Sequence, residues 1–242
     1  MGDSEQTVRP AATVVLLRDS DEGMQVLLLR RNRDLKFAGG AWVFPGGAID
    51  SSDAGAGGAV EVAAPQAAVR EAAEECGVQL DAARLIYFAH WTTPAVGMSK
   101  RFATWFYAAS VAEQTEVCID QGEIHDFLWL TPAEALGRHA AGDLKIMPPT
   151  YLSLSLLTNF SETGAALGAL QEMPPVVVEP RICKGEEGLM ALYPGDAGFD
   201  DFDPQIVGPR HRCLFKGEIL EYIYSGSDTG VAPMDRPQQE LC

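Results

Sequence analysis

Residues 65–78, PQAAVREAAEECGV, constrain the fold more than any other stretch of the chain. Val69, Ala72, Ala73 and Cys76 recur at i, i+3, i+4 and i+7, the apolar stripe of a helix laid on a core. Pro65 suits the first helical turn, and Gly77 stands where a left-handed cap ends a helix. The same helix carries Glu71, Glu74 and Glu75, whose spacings of three and four residues set like charges side by side. With Arg70 as the one counter-charge inside this stretch, the acidic face is expected to point away from the core. Such a face is ordinarily just solvated. A Gly-rich loop precedes this one, however, and crowded carboxylates of this kind bind hard cations such as Mg2+ or Mn2+, which turns repulsion into chelation.

The remaining composition narrows the partners. A chain of 242 residues, 47% hydrophobic, can bury one good core and carry an appendage. Its 18 basic and 34 acidic residues give a net charge of −16, which repels nucleic-acid polymers and anionic membranes. A small phosphate-bearing ligand stays compatible if cations screen the site. Five scattered cysteines without a CxxC pair suggest neither a disulfide framework nor structural zinc and suit a reducing cytoplasm. No apolar run is long enough to span a bilayer.

Along the chain, AATVVLLRD and MQVLLLRR read as two paired strands joined by the turn SDEG. The stretch 35–50, LKFAGGAWVFPGGAID, should be a loop, a strand over 41–44 and a tight loop. Further strands are expected at RLIYFAHW, RFATWFYAAS and HDFLWLT. TPAEALGRHAAG should be a helix capped by Thr131, with Pro132 at its first position and Glu134 in the capping box. PPTYLSLSLLTNFSE and TGAALGALQEM read as one or two more helices. From Pro174 the texture turns to Pro, Gly and Asp. There CLFKGEILEYIY is expected to form a hairpin turning at Lys216-Gly217, and the stretch after Ser225 to be disordered.

REAAEECGV, from Arg70 to Val78, resembles the second half of the Nudix box, R E U x E E x G U with U aliphatic, and FPGG at 44–47 resembles its usual approach. Sixteen residues separate Asp53 from Arg70 where the family has seven, so the box carries a nine-residue insertion. Asp53 stands where the family has its first Glu, and Glu61 is a rival; either should pair with Arg70. The resemblance implies an α/β fold, a Nudix α/β/α sandwich with a mixed sheet, over residues 10–173. Residues 174–242 form an extension with a hairpin, expected to cover a sheet edge, serve a homodimer or act as a lid.

It also implies that Glu71, Glu74 and Glu75 bind Mg2+ or Mn2+, that the Gly47 carbonyl is a further ligand, and that Arg70 orients Glu71. The implied reaction is attack of water on a nucleoside diphosphate linked to another group, with Glu74, or else Glu123, as general base. Asp126 is a weaker candidate of the same kind. Residues 27–50 resemble the motif of coenzyme A diphosphatases, with Leu35, Lys36 and Gly40 matching and Ala38 where that motif has His. The inserted box, FAHWTTP and KRFATWFYAA resemble the acyl-coenzyme A branch, whose animal members are peroxisomal. The chain ends in QELC rather than a peroxisomal signal, so a peroxisomal address is not expected, and the cysteine usage points to the cytoplasm.

Arg30, Arg31, Arg33 and Lys36 crowd a loop that is either solvated or a phosphate anchor, and Arg101, with Lys100 behind it, is a weaker anchor. His90 and Trp91 are expected mainly as core or cap residues and Cys76 as core, while His125, His139 and His211 show no ligand spacing. The substrate is then a small nucleotide diphosphate: coenzyme A or its acyl form, with ADP-ribose, dinucleotides or nucleoside triphosphates as the alternative. A nucleotide sensor without turnover is the alternative of another class. Such proteins have eroded boxes, whereas the four charged residues of this one are all present.

Overall fold

The computed structural model describes residues 7–35, 38–55, 58–95, 100–226 and 230–237. β1 (Val8–Ser20) and β2 (Gly23–Arg31) form the expected hairpin, but they stay paired only from Leu17↔Val26 to Ser20↔Gly23. Beyond that the two strands diverge, and the fork is filled by β3 (Trp42–Val43) on β2 and β4 (Gly46–Ala48) on β1. The sequence reading of a tight loop after residue 44 is corrected here: Gly46–Ala48 is a strand, antiparallel to Ala11, Ala12 and Thr13. Glycine makes the pairing possible, because a Cβ at Gly46 would lie 2.5 Å from the Ala12 carbonyl oxygen. Thr13 fixes the bend by donating its hydroxyl to the Pro45 carbonyl at 2.7 Å.

β5 (Ile86–Thr92), β6 (Arg101–Ser110), β7 (Ile124–Leu130) and the short β8 (Val176–Val178) complete a mixed sheet in the order β3-β2-β1-β6-β5-β8, with β7 on the other edge of β2. β1 is central, parallel to β6 and buried on both faces, as its unbroken apolar run requires. Val14 and Leu16 face α1 (Val60–Cys76). Val15 and Leu17 face the opposite core, which contains residues of α2 (Pro132–Ala140), α3 (Pro148–Leu157) and α4 (Thr163–Glu172). Helices on both faces make the expected α/β/α sandwich. The Thr131 hydroxyl caps α2, accepting from the Glu134 amide at 3.2 Å.

α1 differs from its sequence reading in two respects. It begins at Val60, so Pro65 is interior, where its ring removes the bond an amide would give to the Glu61 carbonyl. Its buried face is Ala63, Ala64, Ala67, Ala68, Ala72 and Cys76, with Val69 and Ala73 only half-buried. The acidic face is therefore rotated toward the protein, and Glu75 is buried. Gly77 does close the helix, at φ 73°, with the amides of Gly77 and Val78 returning to the carbonyls of Ala73 and Ala72 at 3.1 and 3.2 Å.

After α4, β8 adds to the outer edge of β5 in parallel register. The expected hairpin, β11 (His211–Lys216) with β12 (Ile219–Tyr224), turns at Gly217-Glu218, one residue later than expected. It belongs to a four-stranded antiparallel sheet with β9 (Arg181–Gly185) and β10 (Gly188–Leu192). Tyr193, Cys213 and Leu220 join the core on the α3 side. His139 ties this sheet to α2, its two ring nitrogens lying 2.8 Å from the Leu144 carbonyl and 2.8 Å from the Leu220 amide. In the stretch expected to be disordered, residues 227–229 and 238–242 lie outside the described residues, but Met234 is buried and its amide donates to the Tyr222 hydroxyl at 3.1 Å.

Candidate active site

The alanine face lets α1 lie close over β1 and β4, and the consequence is visible at Gly47. A Cβ there would stand 2.4 Å from Glu71 Oε1, so the Glu71 carboxylate occupies the space that any other residue would need. One residue back, the Gly46 amide donates to Glu75 Oε2 at 2.9 Å. The glycine bend and the acidic helix are thus in direct contact.

Arg70 organises this contact. Its Nε and Nη2 donate to the two carboxylate oxygens of Asp53 at 2.9 and 3.1 Å, a bidentate pair. Nη2 also reaches the Ala48 carbonyl at 3.0 Å, while Nη1 donates to Glu71 Oε1 at 2.8 Å and Glu74 Oε2 at 3.1 Å. Of the two rival acids, Asp53 is the one the structure sets against Arg70. Glu61 is exposed and forms no ion pair among the described residues. The bonds from Arg70 hold the Asp53 carboxyl below its ordinary value.

Glu75 is in the opposite condition. Burial pushes its carboxyl up to about 8, since the Gly46 amide and nearby Arg31 offset only part of the desolvation and Glu71 and Glu123 add repulsion. Burial likewise raises Glu71, against the pull of Arg70. Two acids out of water with too little positive charge around them suit a cation better than they suit solvent.

Glu123 arrives from the loop before β7. Asp120 shapes that loop, its carboxylate accepting from the amides of Gly122, Glu123 and Ile124 at 3.1, 2.9 and 2.9 Å, with Gln121 between them at φ 59°. The sequence reading passed over Asp120, although an Asp two residues before a Gly is a turn signal. Arg31 Nη2 lies 3.4 Å from Glu123 Oε2, and the ladder shifts register here, with His125 of β7 left over between the pairs Arg30↔Asp126 and Arg31↔Ile124.

The other candidates divide. Arg30 and Arg33 line a cavity beside Arg31, whereas Lys36 lies outside the described residues. Arg101 is held by Glu179 at 2.5 Å and the Thr93 carbonyl at 3.1 Å, and Lys100 is exposed. Asp126 is exposed, its Oδ1 accepting from the Phe127 amide at 2.9 Å. Trp91 is core, and His90 stands edge-on to Trp105 with ring centroids 4.5 Å apart. Cys76 is fully buried, its thiol pushed up to about 11 by desolvation. Among the described residues no three acidic, histidine or cysteine side chains converge into a finished metal cage. The donors brought to Gly47 are nonetheless all hard oxygens, the set that Mg2+ or Mn2+ takes.

Residues 7–149 match the family model of the NUDIX domain, and the chain belongs to the Nudix hydrolase family. It is 26% identical over 147 residues to the acyl-coenzyme A diphosphatase NUDT19 of Xenopus laevis, covering 56% of this chain and 37% of that protein. It is also 26% identical over 228 residues to a Caenorhabditis elegans protein provisionally named nudix hydrolase 7, covering 80% of this chain and 75% of that one. A solved Nudix hydrolase from Alicyclobacillus acidocaldarius superposes with a TM-score of 0.61 at 25% identity, covering 71% of this chain and all 100% of that one. This chain thus spans little more than a third of the frog protein's length, 37%. No helix among the described residues is long and apolar enough to cross a membrane.

Proposed function

We propose that this protein is a Mg2+- or Mn2+-dependent diphosphatase of coenzyme A or acyl-coenzyme A, yielding 4′-phosphopantetheine or its acyl form and 3′,5′-ADP. The observation that carries the reading is the Arg70 hub, which braces Asp53 and Glu71 and presses the acidic helix against Gly47. Glu71, Glu74, Glu75 and the Gly47 carbonyl would hold the metal, which neutralises a diphosphate and makes water a better acid.

The residues of the chain have separate parts in that reaction. Arg70, held to Asp53 by two bonds, fixes the rotamer of Glu71 and keeps the helix at its distance from β4. The oxygen of water forms a bond to one phosphorus as its bond to the bridging oxygen breaks, and the electron pair leaves with that oxygen on the other product, a phosphate monoester. The proton lost by water goes to Glu74 or to Glu123, both exposed enough to pass it to solvent. The coenzyme A choice is supported by the likeness to acyl-coenzyme A diphosphatases and by the arginines at the end of β2.

One observation favours a second reading, cleavage of ADP-ribose or a dinucleotide: Ala38 replaces the His of the coenzyme A motif and sits in a left-handed turn at φ 51°. Incubating the protein and Mg2+ with coenzyme A, an acyl-coenzyme A, ADP-ribose and NADH, with products separated by ion exchange, decides between them. The proposal expects 3′,5′-ADP from the coenzyme A substrates; intact coenzyme A beside cleaved ADP-ribose or NADH would falsify it.

A further inference from the structure

Where β2 ends and β7 begins, Arg30, Arg31, Asn32, Arg33, His125 and Asp126, with Asp34, line a cavity of about 360 Å3. That is within the range of small-molecule sites, roughly 300–1,000 Å3. Three arginines line it, in a chain of net charge −16 with 18 basic residues in all. At the carboxylate centre Arg70 is neutralised by Asp53, Glu71 and Glu74. In the cavity, among the described residues, Arg30 and Arg33 form no ion pair, although Asp34 and Asp126 stand on the same wall. Arg30 instead lies over the Trp42 ring, 5.8 Å from its centroid. The Nε of Arg31 is buried without a hydrogen-bond partner.

Arg31 is also the shared wall between this cavity and the carboxylate centre, through its contact with Glu123. The loop carrying the cavity is tied down on that side: the Asn32 amide donates to the Glu123 carbonyl at 2.7 Å and Asn32 Nδ2 to the Gly122 carbonyl at 3.3 Å. Guanidiniums without an acidic partner, on a wall shared with an imidazole and next to the carboxylate centre, suit an anion. Forked donors suit the oxygens of a dianionic phosphate monoester.

We propose that this cavity is a subsite for a phosphate monoester of the substrate, distinct from the diphosphate that is cut, with Arg30, Arg33 and His125 as its specificity-determining residues. It deepens the diphosphatase reading and rests on it: coenzyme A carries such a group at its ribose 3′ position, while ADP-ribose and NADH do not.

Calorimetric titration of the full metal-free chain tests this without turnover. Adenosine 3′,5′-bisphosphate should bind about tenfold tighter than adenosine 5′-monophosphate. Arg33→Ala, at an exposed position, and Arg30→Gln should each bring the two ligands within about twofold. Glu61→Gln, at an exposed position outside the site, should leave the preference standing, and unchanged circular-dichroism melting should show that each variant is folded. Equal binding of the two nucleotides, a preference that survives both arginine changes, no measurable binding, or inorganic phosphate binding as tightly as the bisphosphate would each overturn the subsite. Failure to cleave coenzyme A in the product assay would overturn the proposed substrate while leaving this binding result to stand or fall separately.

Discussion

Asp196, in the loop after β10 of the second sheet, and Glu75 on α1 are both carboxylates removed from water, and they have been treated in opposite ways. Asp196 accepts from Arg212 Nε and Nη2 at 2.7 and 2.6 Å, from the His211 amide at 2.8 Å and from the Gly198 amide at 2.9 Å. Burial alone would raise its carboxyl, but these four donors more than offset it and the net shift is downward. Glu75 receives one backbone donor, from Gly46, and rises to about 8. Asp196 is given four donors and Glu75 one, the condition that the proposed metal would relieve.

The largest way to break this contrast is Asp196→Asn. It leaves Arg212, with 5% of its side chain exposed, as a buried unpaired charge, and unfolding in urea should show a loss of about 3–5 kcal/mol. Glu75→Gln should move the other way. Between its ordinary 4.5 and about 8 the folded metal-free chain keeps a proton on Glu75 that the unfolded chain has released, so stability falls as pH rises through that window. At pH 8 Glu75→Gln should therefore stabilise the metal-free protein, by on the order of 2–4 kcal/mol, and flatten its pH dependence. Asp196 has the reverse sign: its contribution is complete above the ordinary 3.8 and is lost as pH falls through the lower folded value.

Smaller effects sharpen the site itself. Gly47→Ala drives a methyl into the Glu71 carboxylate and should cost about 1–3 kcal/mol and most of the activity. Asp53→Asn should cost about 1–2 kcal/mol by loosening Arg70, while Glu61→Gln should stay within about 0.5 kcal/mol of wild type; equal effects from the two would contradict the pairing described here.

Much of this was readable in the residues. Strands β1, β2, β5, β6 and β7 and the caps at Thr131 and Gly77 follow from local periodicity and turn chemistry, which act over a few residues. Three features did not follow. The phase of α1 is hidden because its buried face is alanine, whose small apolar contrast with polar neighbours leaves Val69 and Ala73 looking equally inward. Gly46–Ala48 resembled a loop because its strand character comes entirely from a partner, Ala11 to Thr13, more than thirty residues away. The choice between Asp53 and Glu61 depended on how an inserted loop folds back, which spacing alone does not carry.

Whether α1 holds a divalent ion at the Gly47 bend is tested most directly by titration of Mn2+ into the metal-free protein at pH 7, by calorimetry in buffers of differing ionisation enthalpy. Saturable binding should release a proton, because Glu75 must give one up, and Glu71→Gln should weaken the affinity about tenfold or more. Binding without proton release and unchanged in Glu71→Gln, or no binding even with a non-hydrolysable diphosphate present, would contradict it.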